Sequence, residues 1–258
     1  MRLEIEGKTA VVTGAGRGIG LATVQALRRE GARVAALSRT PPAAVDGGVV
    51  PIAADLTQPD AAGAAIDQAL QALGGIDLLV NNVGGSRLSL AAFAELSDAD
   101  WEDALTTNLL TAVRMTRAAL PHLIETRGAV VNVSSIGARR PAGPPLAYNV
   151  AKAALTAFGR GLAAELGPTG VRVLTVSPGP TRTSMWESAD GLGGQLAAAI
   201  GIPIEAVLAD APAQTGMVTG RITEPDEVGD LITYLLSPRA ANITGADYLI
   251  DGGATRTA

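Results

Sequence analysis

The sequence predicts a doubly wound α/β fold, a parallel sheet with helices on both faces. Short runs of Val, Ala, Leu and Ile alternate with longer Ala/Leu-rich stretches of helical period. The short runs are apolar throughout rather than at every second residue, as strands buried on both faces require. Their β-α-β alternation calls for a parallel sheet. The 258 residues, 47% hydrophobic, are enough to build that sheet as one domain over residues 1–258.

The first strand, 9–13, leads into Thr13-Gly-Ala-Gly-Arg-Gly-Ile-Gly20 and a helix over 18–30 that ends before Gly31. Strand 33–37 follows and closes on Ser38-Arg39. The stretch 39–48 is short and rich in Pro and Gly, and reads as a surface connection. Strand 49–53, helix 60–73 and strand 78–81 come next. Ser97-Asp-Ala-Asp100 has the form of a capping box and opens a helix over 98–120, which the pattern ends before Pro121. Strand 129–134, helix 147–166 and strand 172–177 follow, with Gly167 and Pro168 stopping the helix. Pro225 sits at the start of a helix over 224–236, and 247–250 is the last strand.

Composition excludes several functions. There is no cysteine, hence no disulfide framework, thiolate nucleophile or Cys-ligated metal, and no metal site is expected. A single histidine, His122, stands far from any nucleophile elbow. The net charge is −5 and the arginines are scattered, so no nucleic-acid partner is expected. No apolar run reaches membrane-spanning length and no leader is apparent at the amino terminus, so the expected location is the cytoplasm, without membrane attachment.

Two constellations carry chemistry. The glycine run after the first strand places backbone N–H groups and a helix N-terminus where a pyrophosphate would lie, with Gly14, Gly18 and Gly20 allowing close approach. An acidic residue closing the second strand would favour a free ribose 2′-hydroxyl. Ser38 and Arg39 stand there instead, and Arg39 with Arg17 suits a 2′-phosphate, so NADP(H) is expected over NAD(H). The second constellation is Ser135, Tyr148 and Lys152. Residues four apart share a helix face, so the phenol and the ammonium point the same way. A cation beside a phenol favours the phenolate and lowers its pKa, and Ser135 offers a hydroxyl to an oxygen substrate. Lysine occurs only twice in the chain, which sets Lys152 apart from ordinary surface charge.

These motifs, with Asp55-Leu56, Asn81-Asn-Val-Gly84, Asn108 and Pro178-Gly-x-Thr-x-Thr183, resemble the short-chain dehydrogenase/reductase family in its Tyr-x-x-x-Lys branch, over essentially the whole chain. The resemblance implies a Rossmann-type, seven-stranded parallel sheet in the order 3-2-1-4-5-6-7. It implies that Asp55 and Leu56 lie by the adenine and Asn82 by the ribose. Gly14, Ile19, Gly84, Pro178, Gly179, Thr181 and Thr183 would line the rest of the cofactor. Lys152 would hold the nicotinamide ribose, Tyr148 would exchange the proton, Ser135 would bind the substrate oxygen and Asn108 would anchor a water beside Lys152. The usual alanine of Asn-Asn-Ala-Gly is Val83 here. The four-residue Tyr-to-Lys step, by the same resemblance, favours C=O over C=C chemistry.

Three segments, 85–93, 137–146 and 184–220, are expected to line the substrate pocket, the last as a lid with hinge glycines in Asp190-Gly-Leu-Gly-Gly194. Its apolar content predicts a small, largely apolar carbonyl or alcohol substrate, with Trp186 in contact. Arg87, Arg139, Arg140 and Arg182 fall near the rim as solvated charges or as an anion site. A ketoacyl-carrier-protein reductase, a free-standing ketone or hydroxysteroid-type reductase, an NAD-dependent alcohol dehydrogenase and a non-catalytic NADP(H)-binding regulator all remain readings of the sequence. The resemblance also implies a homotetramer.

Overall fold

A computed structural model describes residues 2–41, 47–85, 88–141 and 144–256. Half of the 39–48 connection, Arg87 and part of the 137–146 segment lie outside them. Among the described residues, seven strands form one parallel sheet in the order β3-β2-β1-β4-β5-β6-β7, as the family resemblance implies. They are β1 (Thr9–Thr13), β2 (Arg33–Ser38), β3 (Val49–Ala53), β4 (Leu78–Asn81), β5 (Ala129–Val133), β6 (Arg172–Pro178) and β7 (Asp247–Ile250).

The strands alternate faces, so each feeds two cores. Ala10, Val12, Val34 and Ala36 pack against Val24 and Leu27 of α1 (Gly18–Arg29) and against Val228, Ile232 and Leu235 of α9 (Pro225–Leu236). Gly229 brings α9 onto α1: a Cβ there would stand 2.9 Å from the Ala22 carbonyl carbon. Val11, Ala35 and Leu37 face the opposite layer. There they meet Ile66 and Ala69 of α2 (Ala61–Leu73), Met115 and Leu123 of α4 (Thr111–Thr126), and Ala163 and Leu166 of α5 (Leu146–Leu166). Burying one such Leu or Ile side chain contributes about 1.5–3 kcal/mol.

The expected 98–120 helix departs from the sequence pattern in two ways. It begins as α3 (Asp98–Leu105), capped by Ser97 as the capping box predicts, and then widens into a π-helical stretch over Thr106–Leu110. It also runs on through Pro121 to Thr126, because Pro121 is exposed and its lost backbone bond faces water. Gly167 does not end α5 in a left-handed turn. The helix tightens into a 3-10 turn over Gly167–Thr169 and stops at Gly170, where φ is +84°.

Between β6 and α9 the chain makes an excursion of three helices, α6 (Ser184–Glu187), α7 (Leu192–Ile200) and α8 (Ile204–Thr215). No single helix is long and apolar enough to cross a membrane among the described residues. The loops and helices that follow the carboxyl ends of the strands carry the site residues considered below, at the point where the strand order reverses between β1 and β4.

Candidate active site

The chain leaves β1 at Thr13 and turns at once into α1. Gly14 and Gly18 hold φ of +63° and +54°, backbone that a side chain would strain. A Cβ on Gly20 would run into the Gly14 carbonyl, so the turn closes tightly on the helix. Asn82 locks it from β4: its Nδ2 donates to the Thr13 and Gly14 carbonyls at 3.0 and 3.2 Å, and its backbone N–H donates to Thr13 Oγ1 at 2.9 Å. Thr183 packs on the other side, its Cγ2 3.0 Å from where a Gly18 Cβ would sit. Ile19 anchors the helix start in the core. The first turn of α1 holds no acidic residue and exposed Arg17 is its N-cap, so the unpaired N–H groups and the dipole face an anion seat of positive sign.

At the end of β2, Ser38 Oγ donates to the Thr40 carbonyl at 2.8 Å, folding the chain back beside Gly16. Arg39 is exposed and makes no hydrogen bond among the described residues, but lies close enough to Asp55 to lower its pKa. The larger cause is Thr57: its hydroxyl and backbone N–H donate to Asp55 Oδ1 at 2.7 and 3.1 Å and hold the carboxyl below its ordinary value. Leu56 is buried in the core beneath.

The chemical end lies beyond β4 and β5. The π-helical stretch turns fully buried Asn108 inward. Its Nδ2 donates to the Ala104 carbonyl and its Oδ1 accepts from the Gly85 N–H, both at 2.9 Å. Gly84 has no room for a side chain, because a Cβ would lie 2.7 Å from Lys152 Nζ and 2.9 Å from Asn108 Oδ1. Lys152 Nζ donates to the Val133 carbonyl at 2.8 Å and stands 5.8 Å from the centroid of the Tyr148 ring. Ser135 Oγ accepts the Gly137 N–H at 3.1 Å and lies close enough to Tyr148 to act on its pKa. Its neighbour Ser134 is buried the other way, bonded to the Lys152 carbonyl and to Thr156. Strand alternation thus separates the two serines.

The electrostatics correct one expectation. Lys152 does not lower Tyr148. Burial pushes the phenol up to about 12, opposed by the nearby Ser135 hydroxyl, and burial pulls Lys152 down to about 7. Both groups are driven toward their neutral forms, and the ammonium is directed to a backbone carbonyl rather than to the phenol oxygen.

Beyond β6, the Gly179 N–H donates to the Ile250 carbonyl, and a Cβ there would press on Asp251. Thr181 Oγ1 donates to the Gly179 carbonyl and Thr183 Oγ1 to the Thr181 carbonyl, so both hydroxyls stabilise the turn after Pro178. The glycines of the following segment are not hinges. Gly191, Gly193 and Gly194 do not have positive φ, and Cβ atoms on them would collide with the carbonyls of Met185, Trp186 and Ala189. They let α7 lie directly on the backbone of α6. Met185 in turn reaches Gly85, whose missing Cβ its Sδ-methyl would overlap.

A family model described as enoyl-(acyl carrier protein) reductase matches residues 14–255. The 3-oxoacyl-[acyl-carrier-protein] reductase FabG of Vibrio cholerae is 33% identical over 97% of this chain and 98% of its own. The chain is a short-chain dehydrogenase/reductase. D-threitol dehydrogenase of Mycolicibacterium smegmatis is 35% identical, over 97% of this chain and 94% of its own. Among solved structures, L-sorbose reductase from Gluconobacter frateurii, complexed with NADPH and L-sorbose, superposes with a TM-score of 0.89 at 30% identity over 100% of both chains. This short-chain dehydrogenase/reductase is accordingly an oxidoreductase of CH–OH/C=O groups that uses NAD(P).

Three of the four rim arginines are exposed but have partners within the chain. Arg139 pairs with Asp247, Arg140 donates to the Ala254 and Thr215 carbonyls, and Arg182 bridges Glu187 and Glu224. Arg87 lies outside the described residues. Sequence reasoning missed Thr57 and Thr13. Thr57 stands two residues after Asp55 in an Asx-turn spacing that was there to be read. Thr13 holds the Asn82 loop through a hydroxyl whose partner is 69 residues away, which no local pattern reveals.

Proposed function

We propose that this short-chain dehydrogenase/reductase interconverts a carbonyl and a secondary alcohol with NADP(H), using Tyr148 as the general acid/base. The observation that carries the reading is the convergence of Ser135, Tyr148 and Lys152, the ammonium 5.8 Å from the phenol ring centroid, with the glycine turn at the same edge of the sheet. The cradle fits a dinucleotide: Gly14, Gly18 and Gly20 let the turn fold tightly against Asn82, Thr183 and the start of α1, and the helix N-terminus offers its unpaired N–H groups to a pyrophosphate. When bound, the reduced cofactor supplies hydride. The chain's own groups handle the oxygen and the proton. The raised pKa of Tyr148 keeps its proton in place for donation to a developing alkoxide, and Ser135 donates a hydrogen bond to the same oxygen. Lys152 and Asn108 converge at Gly84 to hold the ribose and a proton route. Asp55, Leu56, Asn82 and Gly84 flank the adenosine half, and Pro178, Gly179, Thr181 and Thr183 flank the nicotinamide half.

Arg39 and Arg17, exposed and without hydrogen bonds among the described residues, are the groups for a 2′-phosphate, at about 1.5–3 kcal/mol per charged hydrogen bond. The NADPH complex of the L-sorbose reductase favours the same cofactor. Residues 184–220 serve as the lid, with Trp186 and Met185 toward the substrate. Because Arg139, Arg140 and Arg182 have internal partners, the reading favours a neutral carbonyl over an anionic one. A second reading, a ketoacyl-carrier-protein reductase, is favoured by the likeness to FabG. We assign a homotetramer on the outward face of α5, where Val150, Ala157, Gly161 and Ala164 are exposed and uncharged, and on the half-exposed edge strand β7.

The test is NADPH consumption against ketones, ketoses and acyl thioesters, with the alcohols and NADP⁺ for the reverse direction. Wild type consumes NADPH with one of these classes, and Tyr148→Phe does not while still binding NADPH. Turnover retained in Tyr148→Phe sinks the reading.

A further inference from the structure

The 3-10 turn that carries Ser135 (Ile136–Ala138) is fixed at its near end by local bonds: Gly137 N–H to Ser135 Oγ, and Ala138 N–H to the Ser135 carbonyl. Gly137 rests on Asn149 of α5, with no space for a Cβ between them. Its far end is fixed by two consecutive arginines. Arg139 reaches across β6 to β7, where Nε and Nη2 both lie 2.9 Å from Asp247 Oδ2 and Nη2 also donates to the Asp247 carbonyl at 3.1 Å. The Asp247 side chain is 0% exposed, and its other oxygen accepts from Ser177 Oγ at 2.6 Å. A carboxylate sealed from water with one guanidinium and one hydroxyl as partners holds a narrow geometry, because leaving it unpaired is costly. Arg140 adds a second tie, donating to the Ala254 carbonyl at 2.7 Å.

We propose that Arg139, through Asp247, is a positioning residue for Ser135. It touches neither substrate nor cofactor. It sets where the Ser135 hydroxyl stands relative to Tyr148, by clamping the end of a turn only five residues long to the last strand. A misplacement of about 1 Å at a reacting hydroxyl costs on the order of a hundredfold in rate, so a loosened clamp has a catalytic signature larger than its effect on binding. The proposal rests on the carbonyl reading above.

The experiment is a double-mutant cycle of Arg139→Gln and Ser135→Ala, read by kcat, by NADPH affinity and by hydrogen exchange of the amides of residues 137–140. Arg139→Gln should lower kcat by about tenfold or more with NADPH affinity unchanged, and the loss should vanish on the Ser135→Ala background. The turn amides should exchange faster while those of α5 do not. Arg139→Lys keeps a cation opposite Asp247, and so keeps the fold, but cannot span both acceptors. It should show a smaller loss with the same dependence on Ser135. Unchanged kcat, an equal loss in both backgrounds, or unchanged exchange of the turn overturns the proposal. Full turnover in Ser135→Ala alone is a separate result: it sinks the carbonyl reading first and takes the positioning role with it.

Discussion

Lys152 Nζ lies 5.8 Å from the centroid of the Tyr148 ring and donates to the Val133 carbonyl at 2.8 Å. Burial holds the lysine near 7, against an ordinary value of 10.5. The folded protein therefore gives up this proton before the unfolded chain does. Between about pH 7 and 10 the unfolded state carries the extra proton, so this residue makes stability rise with pH; below about pH 7 both states are charged and its burial cost is fully present. Urea midpoints of wild type and Lys152→Met at about pH 6 and about pH 9 check this: wild type should gain on the variant as pH rises. Parallel profiles would mean that the lysine is charged throughout.

Arg39→Asp places a carboxylate where a 2′-phosphate would sit, beside Asp55. The ratio of kcat/KM for NADPH to that for NADH should fall by at least about tenfold, the lower bound for one charged hydrogen bond lost. Steady-state kinetics with both cofactors decide it, and an unchanged ratio removes Arg39 from the cofactor site.

Gly193→Ala drives a methyl group into the Trp186 carbonyl and must separate α7 from α6. KM for the carbonyl substrate should rise about tenfold, with KM for NADPH little changed, as befits a disturbance confined to the substrate side. If both constants stay at wild-type values, the seating of α7 on α6 has no part in substrate binding.

Gly63→Ala is the opposite case. Gly63 is exposed in the first turn of α2, with nothing within 4 Å of its absent Cβ. The alanine should stabilise the protein by about 0.5–1 kcal/mol, measurable as a higher urea midpoint at unchanged slope. A loss of stability would show that this face of α2 is covered by another surface.

What the sequence made legible was whatever chemistry is local. Thr9–Thr13 and Ala129–Val133 are buried at every residue, and consecutive apolar residues in each, Ala10-Val-Val12 and Ala129-Val-Val131, announce it. Ser97 and Asp100 cap a helix by their spacing alone. The glycine turn directly joins a strand to a helix, and Tyr148 and Lys152 stand four residues apart on one helix, so their placement followed. Arg139 shows where that reach ends. Its partner Asp247 is 108 residues away, and a guanidinium looks the same in a sequence whether solvated or clamped. The glycines at 191, 193 and 194 failed for a related reason, since glycine serves close packing and flexibility alike and only the neighbouring carbonyls tell them apart. Lys152 failed on environment: spacing put the ammonium by the phenol, but the degree of burial that discharges it depends on the whole fold.

The widened turn at Thr106–Leu110 also makes the chain intolerant of a length change that composition would permit. Remove one residue there and α3 and α4 run on as one regular helix, rotated about 100° against each other. Asn108 would swing off Gly85, and Trp101 and Leu105 would leave the patch they form with Ala147 and Ala151 at the base of α5. Substitutions on the outer surface of this helix are cheap, whereas a single-codon deletion is ruinous. Descendants of this sequence should therefore vary freely in what α3 displays to solvent, while preserving the number of residues between Ser97 and Thr126.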